Sequence, residues 1–358
     1  MKILLATGIY PPDIGGPATY TKALAQELID LKHEVSVITY SHHADHTDPW
    51  PVVRISKSGG PILRWWRYSR AIKKHGADAD IVYAFSSVSV GVPLRMSGMR
   101  KPKKILRLGG DFLWERYTDR GGRKSLQEWY ERSNWQVAIG RWLLQPFDHI
   151  VFSTVFQKEI YEKAYATLPE HSVIENALTF DGLFTQNRKP HQPFRLLFMG
   201  RFVRFKNIAS LIRAIVHLPD VTLTIVGEGP LRDTLTTLTK TLALTDRVRF
   251  LPPVGGSAKG QVFQDHDLLV LPSLTEISPN VALEAKGSGL DVLITHENGL
   301  HILADRMYFA PLRSPEEITK AISQFRKKPS DTDQSPFTHS WSDVASETIA
   351  LFTQLTAP

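Results

Sequence analysis

Two carboxylates, Glu276 and Glu284, bracket the stretch "EISPNVALE". Ser278 has the side chain of a helix N-cap and Pro279 suits the first helical position, so the chain from Asn280 onward is expected to be helical. Glu276 then lies in the loop ahead of the helix, and Glu284 lies on it, roughly 7 Å along the axis from Pro279. A helix start is an anion site, because its amides point outward and its dipole is positive there; phosphate is the commonest guest. Carboxylates flanking a phosphate serve to grip hydroxyls, as on a ribose or a sugar. Ile277, Ser278, Pro279 and Asn280 therefore form a candidate phosphate cradle with an acid on either side. Taken alone, the stretch is read more simply as an ordinary helix start with a solvated glutamate.

Three other loops carry residues of the same kind. "GIYPPDIGGPATY" follows a short apolar run and opens a helical pattern, and Gly15 and Gly16 would let a phosphate or sugar approach the backbone. "MGRFVRFKN" follows another apolar run at Gly200, and its Arg201 and Lys206 can fork onto, or place a point charge beside, phosphate oxygens. "VGEGP", from Gly227, is a further loop of close approach. Each also reads as a plain turn or as solvated cations. No G-x-G-x-x-G, P-loop lysine signature or G-x-S-x-G elbow occurs. Of three D-x-D triplets, Asp78/Asp80 and Asp265/Asp267 precede strand patterns and read as strand caps, while Asp331/Asp333 falls in a polar linker. The thirteen histidines show no H-E-x-x-H arrangement, which leaves zinc chemistry unsupported.

The elements that must hold these loops alternate. "KILLAT", "EVSVITY", "ADIVYAF", "KKILRLGG" and "DHIVFST" read as strands with helical patterns between them. "FRLLFMG", "VTLTIVGEG", "RVRFLPP", "HDLLVLPS" and "LDVLITH" repeat the scheme. Two such series in 358 residues predict an α/β protein of two Rossmann-like, doubly wound parallel-sheet domains. The polar stretch 185–193 marks the join, and 326–337 precedes a last helix, "WSDVASETIALFTQL". Residues 111–147 hold six Trp and Tyr residues on loop and helix, and core packing or contact with sugar rings would both use them.

Composition narrows the classes. Without cysteine there are neither disulfides nor thiolate metal sites, as in a reducing compartment. The apolar run after "MK" is too short for a signal peptide, and no segment approaches the ~18 apolar residues of a membrane span. Net charge is +7, and from Arg54 to Arg107 thirteen Lys and Arg face only Asp78 and Asp80. Such a stretch is either a solvated face or a surface for an anionic partner.

In chain order, "YPPDIGGPATYTKALAQEL", "ENALTFDGLF" with Asn176, "LLFMGRFVRFKNIASLIRAI", "LTIVGEGPLRDTL" and "DLLVLPSLTEISPNVALEAKGSGLDVLITHENG" resemble the retaining glycosyltransferases of the GT-B fold, glycosyltransferase family 4 (glycosyl transferases group 1). The E-x7-E spacing is that family's hallmark, and the likeness spans nearly the whole chain. It implies an acceptor-side domain, 1–185, and a nucleotide-sugar domain, 186–337, facing an interdomain cleft. The C-terminal helix, 338–358, crosses back near Trp341 to the first domain. It implies that Arg201 and Lys206 bind the diphosphate, Glu284 the ribose, and Glu276 the transferred sugar. The backbone of Ile277 to Asn280 contacts phosphate or sugar, and Gly16 approaches from the first domain. The activity implied is retaining, metal-independent transfer of a hexose from a nucleotide-sugar, without a cofactor, to a glycan or lipid-linked acceptor in cell-surface polysaccharide biosynthesis. The setting implied is cytoplasmic and peripheral to the membrane, with the basic 54–107 region on an anionic lipid surface and no nucleic acid. Alternatives are a GT-B sugar-nucleotide epimerase and a silent nucleotide-sugar-binding module.

Three departures from the family pattern stand out. Asp111 takes the place where relatives often carry a histidine, and it is either a sugar-orienting catalytic residue or a helix cap. Lys286 and Asp291 interrupt the usual E-A-M-A-x-G-x-P run, and "PPVGGSAKG" is unusual after its strand.

Overall fold

The structure, a computed structural model, describes residues 1–13, 15–41, 48–131, 135–177, 190–300, 307–327 and 339–357. The chain divides into two compact units. The first comprises Met1–Leu113, Tyr130–Ala177 and His339–Pro358; the second comprises Trp114–Trp129 and Leu178–Thr338. The join expected at 185–193 falls largely outside the described residues, as does most of the 326–337 linker with Asp331 and Asp333.

Seven strands of the first unit are β1 (Lys2–Ala6), β2 (Glu34–Ser41), β3 (Val52–Ser56), β4 (Ile81–Ala84), β5 (Lys103–Leu108), β6 (His149–Phe152) and β7 (Glu170–Val173). Six in the second are β8 (Phe194–Met199), β9 (Val221–Val226), β10 (Val248–Leu251), β11 (Leu268–Leu271), β12 (Asp291–Thr295) and β13 (Tyr308–Ala310). The helices are α1 (Gly16–Asp30), α2 (Pro61–Gly76), α3 (Gly91–Ser97), α4 (Phe112–Asp119), α5 (Leu126–Glu131), α6 (Trp135–Leu144) and α7 (Val155–Ala164). They continue as α8 (Ile208–Ile215), α9 (Arg232–Thr241), α10 (Gly256–Gln264), α11 (Asn280–Gly287), α12 (Pro315–Phe325) and α13 (Trp341–Thr356).

The sheets run β3-β2-β1-β4-β5-β6-β7 and β10-β9-β8-β11-β12-β13, and every pairing is parallel. Helices cover such sheets on both faces, so inner strands are buried throughout; β4, β6 and β11 have no exposed residue. In each sheet the order reverses beside its first strand, at β1/β4 and at β8/β11. Loops leaving the carboxyl ends of those strands diverge there and leave room for a ligand. The strands missed by sequence reading are the edges β3 and β13 and the outermost β7. They are short and half-exposed, so neither alternation nor a solid apolar run marks them.

Strand starts are capped as expected: Asp80 Oδ2 accepts from the Lys2 amide at 2.8 Å, and Asp267 Oδ2 from the Arg195 amide at 2.7 Å. Helix α13 belongs to the first unit. Ser340 and Asp343 form a capping box at its start, and Val344, Ala345, Leu351 and Phe352 join the core built on β1, β2 and β4. Trp341 meets Tyr20 edge-on at 5.0 Å between centroids, and Phe352 meets Tyr83 at 5.3 Å. Residues 114–129, which the sequence places with the first domain, pack in the second unit, where Trp114 and Leu126 lose nearly all exposure.

Candidate active site

The site grows from the two loops at the β8/β11 switch. After β8 the chain turns at Gly200 and packs on the loop after β9. A Cβ at Gly227, whose φ is 137°, would lie 2.0 Å from the Gly200 carbonyl oxygen. Gly227 therefore admits another stretch of this chain, not a ligand as its loop type suggested. A single 3-10 turn, Arg204–Lys206, then delivers Lys206. Asn207 follows in the left-handed region, with φ 53°, and its side-chain amide donates to the Leu312 and Arg313 carbonyls at 3.0 and 3.1 Å. Those bonds offset the backbone strain and fix the turn.

Lys206 Nζ donates to both oxygens of Glu276, at 2.6 and 2.9 Å, and Ser273 Oγ adds a third donor to Oε1. The side chains are only 16% and 5% exposed, so the pair is largely withdrawn from water. The Glu276 backbone is pinned as well: its amide donates to Glu297 O at 3.0 Å, and its carbonyl accepts from the Gly299 amide at 2.9 Å. Lys206 Nζ lies 5.2 Å above the Phe205 ring. Arg201 remains two-thirds exposed, 3.9 Å from Glu115, and has reach to spare.

Helix α11 begins at Asn280, with Pro279 in the cap position at φ −80°, ψ 84°. Ser278 is thus not the cap the sequence suggested. The extended ψ of Pro279 puts it outside the helix, and its carbonyl receives the Ala282 amide at 2.9 Å. Ile277 is buried in the connecting turn. One turn along α11, Glu284 is paired with Lys259 of α10, a residue for which sequence reading gave no role. Lys286 and Asp291, the two unexpected charges of this region, pair with each other at 3.2 Å, at 13% and 19% exposure. Each departure answers the other, so the segment keeps its fold without the usual residues.

The first unit holds the remaining candidates. Gly15 caps α1, and a Cβ there would strike Ile9; at Gly16 it would meet nothing within 4 Å. Open space beside Gly16 at the start of α1 fits approach by a ligand. Asp111 is different. It is 2% exposed and accepts from Tyr130 Oη at 2.6 Å and Tyr161 Oη at 2.7 Å. Burial and the Asp111 charge hold both phenols well above their ordinary range. It lines a small cavity with Ser87, Gly140 and Tyr165. Asp111 orders a tyrosine cluster, and the catalytic placing suggested for it is not supported by this geometry. Among the described residues no three His, Cys, Asp or Glu side chains are grouped to hold a metal.

Two parallel doubly wound sheets with a Lys–Glu pair at the second switch point fit the GT-B fold. The family models agree: "Glycosyltransferase Family 4" matches residues 14–181 and "Glycosyl transferases group 1" residues 180–337. The chain belongs to the GT-B glycosyltransferases of these families. It is 26% identical to the uncharacterized glycosyltransferase MJ1607 of Methanocaldococcus jannaschii, over 98% of both chains. Its fold matches sucrose-phosphate synthase from Thermosynechococcus elongatus with a TM-score of 0.82 and 16% identity, over 99% of each. It also matches Anabaena HepE in complex with UDP and glucose, with a TM-score of 0.71 and 18% identity, over 99% of this chain and 95% of that one.

Proposed function

We propose that the protein is a retaining, metal-independent hexosyltransferase that moves a sugar from a nucleoside diphosphate to a glycan or lipid-linked acceptor. The observation that carries this reading is the Lys206–Glu276 pair beside the start of α11, with Arg201 on the same loop as Lys206. Breaking the anomeric C–O bond leaves positive charge on the sugar and negative charge on the diphosphate. In this reading Lys206, Arg201 and the α11 amides meet the negative charge and no metal cation is needed. Lys206 has a third N–H beyond the two given to Glu276. Glu276, held between Lys206 and Ser273, is oriented to accept from hydroxyls of the departing hexose. Glu284 accepts from ribose hydroxyls once Lys259 yields or shares it. The acceptor oxygen attacks from the face the diphosphate leaves, and its proton passes to the leaving phosphate. Support from relatives is at the level of the class: HepE, the fold match, is seen with UDP and glucose.

The test is transfer itself. With UDP-, ADP- and GDP-hexoses and a glycan acceptor, the product should keep the donor's anomeric configuration by NMR, and the rate should be unchanged in EDTA. Donor consumed without acceptor would favour the epimerase; an inverted product or loss of rate in EDTA would refute the mechanism.

A lipid-linked acceptor and a cytoplasmic, peripheral position form part of the same reading. Among the described residues no helix is long and apolar enough to cross a membrane. In the first unit, α2 exposes Ile62, Leu63 and Trp66 among Arg67, Arg70, Lys73 and Lys74. On α6, Trp135, Ile139 and Trp142 are exposed at helical spacing, and Arg95 lies 4.8 Å over the Trp142 ring. Exposed apolar residues ringed by cations suit an anionic bilayer surface, and surface polysaccharides are assembled on lipid carriers at such a surface. The protein should pellet with vesicles rich in phosphatidylglycerol, release in high salt, and bind less after Trp66→Ser/Ile62→Ser. Equal recovery with neutral vesicles would remove the membrane part of the proposal.

A further inference from the structure

Of the contacts that join residues 114–129 to the rest of the second unit, two fall on the chain neighbours of the Lys206–Glu276 pair. Trp114 lies against Phe205, with ring centroids 5.1 Å apart, and Phe205 immediately precedes Lys206. The Leu126 amide donates to Thr275 Oγ1 at 2.9 Å, and Thr275 immediately precedes Glu276. The same hydroxyl donates to Glu297 Oε1 at 2.8 Å, which also accepts from the Gln127 amide at 3.1 Å. Glu297 in turn receives the Glu276 amide on its main-chain oxygen. Arg313 closes the ring: it donates to Glu128 Oε1 at 2.8 Å and lies 3.9 Å from Glu297. That bond holds the Glu128 carboxyl below its usual range. Within the segment, Trp114 Nε1 donates to Lys124 O at 3.0 Å, and Glu128 Oε2 accepts from the Ser125 amide at 2.9 Å. Trp114, Thr118, Ser125 and Leu126 are all essentially buried. This is a tightly built strap, not a loosely resting loop.

We infer that residues 114–129 position the Lys206–Glu276 pair, and that Thr275 and Glu297 are the positioning residues through which they act. Thr275 is well suited to this. Its one hydroxyl accepts from the strap and donates to Glu297, so it is fully used as donor while accepting a backbone amide. Its partners lie in both the strap and the 297–299 turn that pins Glu276. A carboxylate that must meet a sugar hydroxyl within a few tenths of an ångström cannot tolerate a shift of its own backbone, and a displacement near 1 Å costs about a hundredfold in rate. Thr275 and Glu297 act on the backbone of Glu276, which in the proposed reading meets the transferred sugar, so their loss should tell on turnover more than on nucleotide affinity.

The inference rests on the glycosyltransferase reading, and its test separates the two. Thr275→Val keeps shape but removes the hydroxyl; Thr275→Ser restores it. With the donor sugar active on the wild type, Thr275→Val should lower kcat about tenfold to a hundredfold, with a much smaller loss of affinity for the matching nucleoside diphosphate, and Thr275→Ser should recover most of the rate. Glu297→Leu, which removes the acceptor oxygens, should behave like the valine variant. Independently of activity, hydrogen exchange should show the Leu126 and Gln127 amides protected in the wild type and released in Thr275→Val. An inactive wild type would count against the proposed function alone. An unchanged kcat in Thr275→Val, an equal loss of diphosphate affinity, no rescue by serine, or unprotected wild-type amides would each overturn the positioning role.

Discussion

Lys206→Ala and Glu276→Ala are each expected to abolish transfer, lowering kcat at least about a hundredfold, since one preorganised group at a developing charge is worth roughly 3 kcal/mol. The burial of the pair adds a second expectation. Removing either partner leaves the other charged in a site with little water, a change that costs about 3–5 kcal/mol of stability. For Glu276→Ala the stranded group is an ammonium beside the Phe205 ring. For Lys206→Ala it is a carboxylate that keeps the Ser273 hydroxyl, so this variant should be the milder of the two. The double variant Lys206→Met/Glu276→Leu restores apolar packing and should recover most of the stability while remaining inactive. Urea denaturation and steady-state transfer on the same preparations separate the effects. A double variant as unstable as the singles would show that burial does not set the penalty, and transfer by any of the three would refute the catalytic assignment.

Glu284→Gln is expected to raise KM for the donor about tenfold to a hundredfold, as befits losing charge-assisted hydrogen bonds worth about 1.5–3 kcal/mol, with kcat nearly kept. In the proposed reading Glu284 holds the ribose, which binds equally in ground and transition states, so its loss is a loss of uniform binding. Discrimination between ribose and deoxyribose gives the sharper readout. The wild type should prefer the ribonucleoside diphosphate over its 2′-deoxy or 3′-deoxy form, and the preference should vanish in Glu284→Gln. The Lys259 contact adds a competitor in the unliganded protein. Thus Lys259→Met should not mimic Glu284→Gln, and should leave the sugar discrimination intact. Persistent discrimination in Glu284→Gln would mean that another group reads the ribose.

Much of the candidate site was legible because its residues sit on loops directly after strands, and strands are easy to find. Arg201, Lys206, Glu276 and Glu284 lie where the pattern put them, and the Lys206–Glu276 contact shows that the first and fourth strands of the second series are neighbours. Less visible were groups whose meaning depends on a partner distant in sequence. Ser273, Lys259 and Glu297 carry no local signal; each acquires a role only by standing opposite a residue of another loop or helix. Asp111 misled for the same reason. It follows a strand, as a site residue should, but its neighbours in space are two tyrosines 19 and 50 residues away. Lys286 and Asp291 looked like two separate oddities and are a single ion pair.

By itself the sequence determined the alternation of buried strands and covering helices, and with it two parallel sheets whose carboxyl edges carry glycines and charges. Those features are periodic and local, because a strand covered on both faces must be apolar along its length. The order of strands, the closure of Lys206 on Glu276 and the attachment of residues 114–129 beside that pair belong to the tertiary structure. They depend on which surfaces pack together, and packing selects partners by shape and burial across distances that no local pattern records.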